Sequence, residues 1–301
     1  MNAADFTFGI EIETHMPAGS LVTGAHGCGR QVPWLPDGWL ADRDPSIITP
    51  HAGRVACEFV SPVLRGAEGL RQAMDVIQAI RDRGGRINQS CGLHVHVGFD
   101  KSDTSAVGRL INLVASHEKA LYAMTGSGTR EGGIGSRYAT NWCKSIRQYG
   151  SQARFLTRGR RDRYHLLNIA TTKPTVEFRV FGSTLNPNKI AAYVRMCVAL
   201  CQKAIVSRRA APFAKTASTC KYLANHDAGM AELNRLFFAV GWRKGRASVQ
   251  TLGDLTAENI PTIEESKKEL VRLATKYDSE NRQTEEIVAR VGTYSPTPAG
   301  S

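Results

Sequence analysis

No stretch of this 301-residue chain is apolar for long enough to cross a bilayer or to act as a secretory leader, because the N-terminus moves straight into an alternating pattern. A cytoplasmic protein is therefore expected. Cysteine is sparse and poorly spaced for either of its structural uses. The seven, Cys28, Cys57, Cys91, Cys143, Cys197, Cys201 and Cys220, are odd in number and lack zinc-ribbon spacing, which argues against a disulfide framework and against a structural zinc site. Cys197 and Cys201, one helical turn apart among Val194, Leu200 and Ile205, read as a packed helix face. Acidic residues are outnumbered, 27 against 39 Lys and Arg, giving a formal charge of +12 and a pI near 9.6. Such a surface attracts nucleic acid, ATP or acidic peptides alike. Yet no zinc finger, RNA-recognition signature or basic zipper turns that charge into nucleic-acid recognition. The glycine-rich stretch 126–135 lacks the Gly-Lys-Ser and Gly-x-Gly-x-x-Gly contexts of phosphate cradles and reads as a flexible loop. Internal repeats are lacking too.

What is present is a parity repeated in four predicted strands. In Phe8-Gly9-Ile10-Glu11-Ile12-Glu13, side chains alternate between faces, so Phe6, Phe8, Ile10 and Ile12 point one way and Glu11 and Glu13 the other. Val55 to Val60 is β-branched and aromatic in character, with Glu58 opposite Cys57 and Phe59. Gly92 to Phe99 puts Leu93, Val95, Val97 and Phe99 in a core and His94 and His96 on the other surface. Thr175 to Val180 repeats the design, with Glu177 and Arg179 opposite Val176, Phe178 and Val180. One Glu-x-Glu or His-x-His pair is common on an exposed strand. Four strands of matching parity predict a shared site.

That site is rich in carboxylate, Glu11, Glu13, Glu58 and Glu177, with His94 as its imidazole, a donor set suited to Mg²⁺ or Mn²⁺ rather than Zn²⁺. Clustered carboxylates repel unless cations neutralise them. Arg179 beside Glu177 offers a planar, permanently charged fork to a phosphoryl group. ATP and two or three divalent ions are the expected cofactors.

Elsewhere the composition is ample for one large domain or two small ones, with 42% hydrophobic residues. A Gly- and Pro-rich segment, roughly 17–38, reads as a long loop able to act as a lid, with His26 and Cys28 in it but no metal-ligand spacing. Trp39 to Ile48 predicts a short strand with an Asp42-Arg43-Asp44-Pro45-Ser46 turn. Helices are expected from Ala67 to Arg83, closed by Gly84-Gly85, from Ser102 or Asp103 through Leu121, and after Pro187 to Ile205. The basic run Arg154 to Arg163 reads as a mobile loop that is either solvated or anion-gripping. Met230 to Val240 and Ile263 to Val291 are amphipathic, and the tail from Ser295 reads as disordered.

These motifs, taken in order with Glu58-Phe59-Val60-Ser61-Pro62, Cys91-Gly92-Leu93-His94-Val95-His96-Val97, Asn168 and Pro174 to Arg179, resemble the amidoligase family of the carboxylate-amine ligase superfamily. The resemblance spans roughly 6–205. It implies an α+β catalytic domain over 1–205 of the glutamine synthetase type, a curved, mainly antiparallel sheet with helices on its convex side. A helical region over 206–292 and a tail over 293–301 lie beyond it. It also implies that Glu11, His94 and Glu177 surround an ATP-side metal, that Glu13 and Glu58 hold a substrate-side metal, with Glu58 also catalytic, and that Arg179 stabilises the phosphoryl group. His96 falls nearer nucleotide or substrate, and Arg137, near Asn141 and Cys143, takes an anion-binding role set against that of an ordinary surface arginine. Where many relatives carry Asp-Gly-Ser, this chain has Asp44-Pro45-Ser46, which removes a backbone donor and puts substrate contact there in doubt. The expected activity is ATP-dependent joining of a small-molecule or peptide carboxylate to an amine through an acyl phosphate. A phosphotransferase on the same sheet, and a basic nucleic-acid-binding protein with a structural metal, are the alternatives.

Overall fold

A computed structural model of the chain describes residues 2–20, 23–25, 27–126, 142–213, 229–242 and 251–292, with side chains as far as 280 in the last segment. Eight strands form one sheet: β1 Thr7–Pro17, β2 Arg30–Gln31, β3 Leu40–Arg43, β4 Arg54–Val60, β5 Leu64–Arg65, β6 Gly92–Gly98, β7 Leu167–Asn168 and β8 Thr175–Gly182. Their order is β2-β3-β4-β1-β6-β8-β7, with β5 pairing β1, and every pair of these strands is antiparallel. The fold is thus α+β.

Alternation drives this arrangement. Phe8, Ile10 and Ile12 of β1, Phe59 of β4, Leu93, Val95 and Val97 of β6 and Val176 and Phe178 of β8 are all buried in one core. Each fully buried side chain of this kind contributes about 1.5–3 kcal/mol. Helix α1, Gly66–Asp82, adds Leu70, Ala73, Ile77 and Ile80 to that core. It stops in a hydrogen-bonded C-terminal turn in which Gly84, at φ +79°, donates to Arg81 and Gly85 donates to Ile80. Helix α5, Pro187–Val206, starts with Asn186 accepting from the amides of Asn188 and Lys189 and is buried along almost its whole length. It packs on β6 and on both α1 and α2. Cys197 and Cys201 lie inside, where burial pushes both thiols well above their ordinary range, so they serve packing. The six described cysteines are free thiols.

Two helical expectations need correction. The periodicity through Leu121 is carried by two helices, α2 Thr104–Ser116 and α3 Glu118–Ala123, because His117, at φ −115° and ψ 17°, leaves the helical range. The first half of the basic run from Arg154 to Arg163 is not a loop: a single turn α4, Gln152–Arg154, continues as a wider turn over Phe155–Gly159, and only 160–163 is irregular. Ser151 caps it, and the buried Phe155 ring packs on Tyr149 and His165, so an aromatic anchor overrides the basic composition.

Two more helices follow, α6 Gly229–Ala239 and α7 Ile263–Gly292. Asp278 of α7 accepts hydrogen bonds from the Gly229 and Met230 amides at 3.0 Å each, which satisfies first-turn donors of α6. Arg195, wholly buried on α5, donates to Ser266 Oγ and the Thr262 carbonyl. Among the described residues no helix is long and apolar enough to cross a membrane. His26, Arg137, Asn141, Cys220 and the tail from Ser295 lie outside the described residues.

Candidate active site

Register turns the parity of single strands into rows of chemistry. Glu13 of β1 faces Glu58 of β4, and Glu58 faces Asp42 of β3. Glu11 faces His94 of β6 on one side and Val60 on the other. His96 faces Glu177 of β8, which faces Asn168 of β7. Directly opposed side chains in an antiparallel ladder lie about 5 Å apart at Cβ, so these residues meet without any loop having to place them.

The contacts bear this out. His94 Nδ1 lies 3.0 Å from Glu11 Oε2, and His96 Nε2 lies 3.1 Å from Glu11 Oε1. His94 Nε2 is 3.6 Å from Glu13 Oε1 and is buried with no hydrogen-bond partner. Glu177 accepts from Asn168 Nδ2 at 2.6 Å and from Arg179 Nη1 at 2.5 Å, while the Gly92 amide donates to Glu13 at 2.5 Å. Leu93 pairs with Phe181 but Val95 pairs with Phe178, so two β8 residues, Arg179 and Val180, stand against His94 alone. Bulges of this kind re-aim side chains next to functional sites. Here Arg179 Nη1 comes to 3.4 Å from His94 Nδ1.

Electrostatics divides the carboxylates. Burial opposes the charge on Glu11, but hydrogen bonds and attraction from His94 and His96 hold its pKa well below the usual range. Glu177 is held low against burial by His94, Arg179 and His96. Glu58 goes the other way, pushed up to about 9 by burial and by the charges of Glu11, Glu13, Asp44 and Asp42. A carboxyl so placed calls for a cation. Among the described residues, three sets of donor atoms lie within 4.8 Å of one another: Glu11, Glu58 and His94; Glu11, His96 and Glu177; and Glu13, Asp44 and Glu58. Oxygen-rich sets with one imidazole at most, together with the unpartnered His94 Nε2, fit a hard divalent ion.

All five expected ligands, Glu11, Glu13, Glu58, His94 and Glu177, therefore come together, and His96 and Arg179 join them. His94 Nδ1 lies 3.0 Å from Glu11 and 3.5 Å from Glu177, the trio expected together, and Glu13 and Glu58 share a group with Asp44. Asp42, Asp44 and Asn168 were not singled out as site residues. Asp42 and Asp44 straddle the end of β3, where the sequence reads as a turn, although Asp44 continues the parity of Leu40 and Asp42. The face opens on a cavity of about 960 Å³ that Asp44, Pro45 and Ser46 help to line, so the proline variant of that turn sits at the site. Residues 27–29 of the long loop also line it, and Cys28 is exposed there outside every ligand group.

An antiparallel sheet with one apolar face under helices and one face of convergent carboxylate, imidazole and guanidinium groups defines an enzyme. The family described as "Putative amidoligase enzyme" matches residues 36–201, more than half of the chain, and the chain belongs to that family. It is an amide-forming ligase. No curated protein matches the chain. Among solved structures it is similar to the "complex between Prokaryotic Ubiquitin-like Protein Pup and its Ligase PafA", at 10% identity over 99% of this chain and 71% of that one, with a TM-score of 0.47. It is also similar to "Apo GmaS without ligand", at 10% identity over 97% of this chain and 70% of that one, with a TM-score of 0.32. Neither similarity is strong enough to carry a substrate across.

Proposed function

We propose that this ligase uses ATP and divalent cations, Mg²⁺ or Mn²⁺, to activate a carboxylate as an acyl phosphate and then passes the acyl group to an amine. The observation that carries this reading is the overlap of three cation-binding groups on one sheet face beside Arg179. A carboxylate is a poor acyl donor until phosphorylated. Its oxygen attacks the γ-phosphorus and ADP leaves; the amine nitrogen then attacks the acyl carbon, phosphate leaves, and the amine gives up a proton.

Glu11, Glu13, Asp44, Glu58, Glu177 and the two histidines are the groups that would hold the cations. Bound there, divalent ions supply positive charge against the phosphate oxygens. Glu177, fixed between Asn168 and Arg179, keeps the guanidinium oriented toward His94 and Glu11. Arg179 keeps its proton firmly: burial opposes the charge, but Glu177, Glu11 and Glu13 raise its pKa further. A fixed positive fork of this kind stabilises developing phosphoryl charge without reorganising. No nucleophilic serine or cysteine is required. A cytoplasmic setting, where ATP and reduced thiols coexist, suits both the chemistry and the free cysteines.

The test is incubation with ATP, Mg²⁺ and pooled carboxylates, using hydroxylamine as a small general amine, with ADP and hydroxamate both measured. ADP and hydroxamate should rise together only when carboxylate and metal are present. Arg179→Ala should lower the rate by about 100-fold or more, the loss typical of removing a charge-stabilising donor. Accumulation of a stable phosphorylated acceptor with no hydroxamate would replace this reading with a phosphotransferase.

A further inference from the structure

The cavity walls differ in character across the sheet. Toward β8 they are cationic and aromatic, with Arg163, Lys173, Tyr164 and Trp142. Toward β3 they are acidic and apolar, with Asp42, Leu40 and Val60. Resting on the ligase reading above, we infer that Asp42 and the Leu40 and Val60 shelf seat the acceptor, and that this seat selects a primary amine on an unbranched aliphatic chain.

Asp42 supplies the polar half of the argument. It is 6% exposed, and its Oδ2 accepts the Gly27 amide at 3.0 Å, while Oδ1 is buried with no partner. A buried acceptor left unmade is costly, and a ligand N–H is the group that satisfies it. Asp42 belongs to none of the three cation-binding groups, so a metal ion does not account for it. It nevertheless stands directly beside Glu58 in the ladder, next to the reacting centre.

The apolar half lies one row along the same face. Leu40 pairs with Val60, and Val60 pairs with Glu11, which puts two aliphatic side chains among charged neighbours on the working surface. Leu40 is 36% exposed, although it is large and apolar. Phosphates and cations gain nothing from such a wall, whereas methylene groups do. The loop closes tightly over it: a Cβ on Gly29 would come within 2.7 Å of the Leu40 side chain, so only glycine allows that approach. A cationic amine is repelled by Arg163 and Lys173 and drawn to Asp42, so the cavity sorts its two substrates by charge.

The experiment measures binding of n-pentylamine to the full chain by NMR in the presence of Mg²⁺, with n-propylamine, 1-pentanol and pentanoate as comparison probes. Pentylamine should bind about tenfold more tightly than propylamine, as expected for two further buried methylenes. It should also bind about tenfold more tightly than pentanol or pentanoate, the size of one charge-assisted hydrogen bond. Asp42→Asn, which keeps an acceptor for Gly27, should abolish the advantage over pentanol. Leu40→Ser, at a partly exposed position on β3, should shrink the chain-length increment. Equal binding of pentylamine and pentanol, or pentylamine affinity unchanged in both variants, overturns the assignment. Because this assay contains no ATP, its failure leaves hydroxamate formation standing, and loss of hydroxamate formation leaves the amine-binding result readable.

Discussion

Glu118, at the first turn of α3, is almost completely buried, and that burial pushes its carboxyl up to about 7 in spite of Ser145 and Arg147. The folded state then holds a proton that the unfolded chain releases near 4.5, so stability is fully present below that value and is lost as pH rises through about 7. Holding that proton is worth something on the order of 3 kcal/mol. Urea midpoints at about pH 5 and about pH 8 should differ more in the native protein than in Glu118→Gln, which cannot titrate; equal differences would mean that Glu118 is already ionised. Residues were the most legible scale in the sequence. Glu11, Glu13, Glu58, His94 and Glu177 could be found because strand parity alone assigns their face. Asp42 and Asp44 could not, because the Asp-Arg-Asp-Pro-Ser run carries turn chemistry that masks a continuing strand. Asn168 sits on a two-residue strand, too short to show any period.

At the scale of elements, caps decide where helices begin. Asp103 accepts from the Ala106 amide at 2.8 Å and starts α2, whose inner side carries Val107, Leu110, Ile111 and Val114. Asp103→Ala should cost about 1 kcal/mol, seen as a lower thermal midpoint with catalysis per folded molecule unchanged. A loss of catalysis would tie α2 to the site. The cap was readable in the sequence because Asp before a helical stripe is a strong signal. The break at His117 was not, since apolar spacing runs on across it. The β8 bulge was equally hidden: both Val180 and Phe181 are apolar and buried, so composition does not reveal which residue is extra. Which glutamate faces which histidine was also beyond reach, because register depends on the loops that join the strands.

For the whole molecule, the acidic face makes stability depend on cations. Free Mg²⁺ at a hundredfold excess over its dissociation constant should add about 2.7 kcal/mol, a rise of several degrees in thermal midpoint. At neutral pH Glu58→Ala should raise the midpoint of the metal-free protein, because folding no longer has to protonate a carboxyl that the unfolded chain leaves ionised, and should reduce the Mg²⁺ increment. An undiminished increment in Glu58→Ala would place the binding elsewhere.

The position of β1 between β4 and β6 has a consequence for how the molecule is made. β1 is synthesised before either of its neighbours, so the growing chain carries Phe8, Ile10 and Ile12 with one backbone edge unpaired until β4 is made and the other until residues near 98 are made. The group of Glu11, His96 and Glu177 closes only after residue 177 has been translated. Non-local pairing of this kind slows folding and leaves intermediates prone to association. Expression at low temperature or with a holdase chaperone should therefore raise the soluble yield more than any change at the surface.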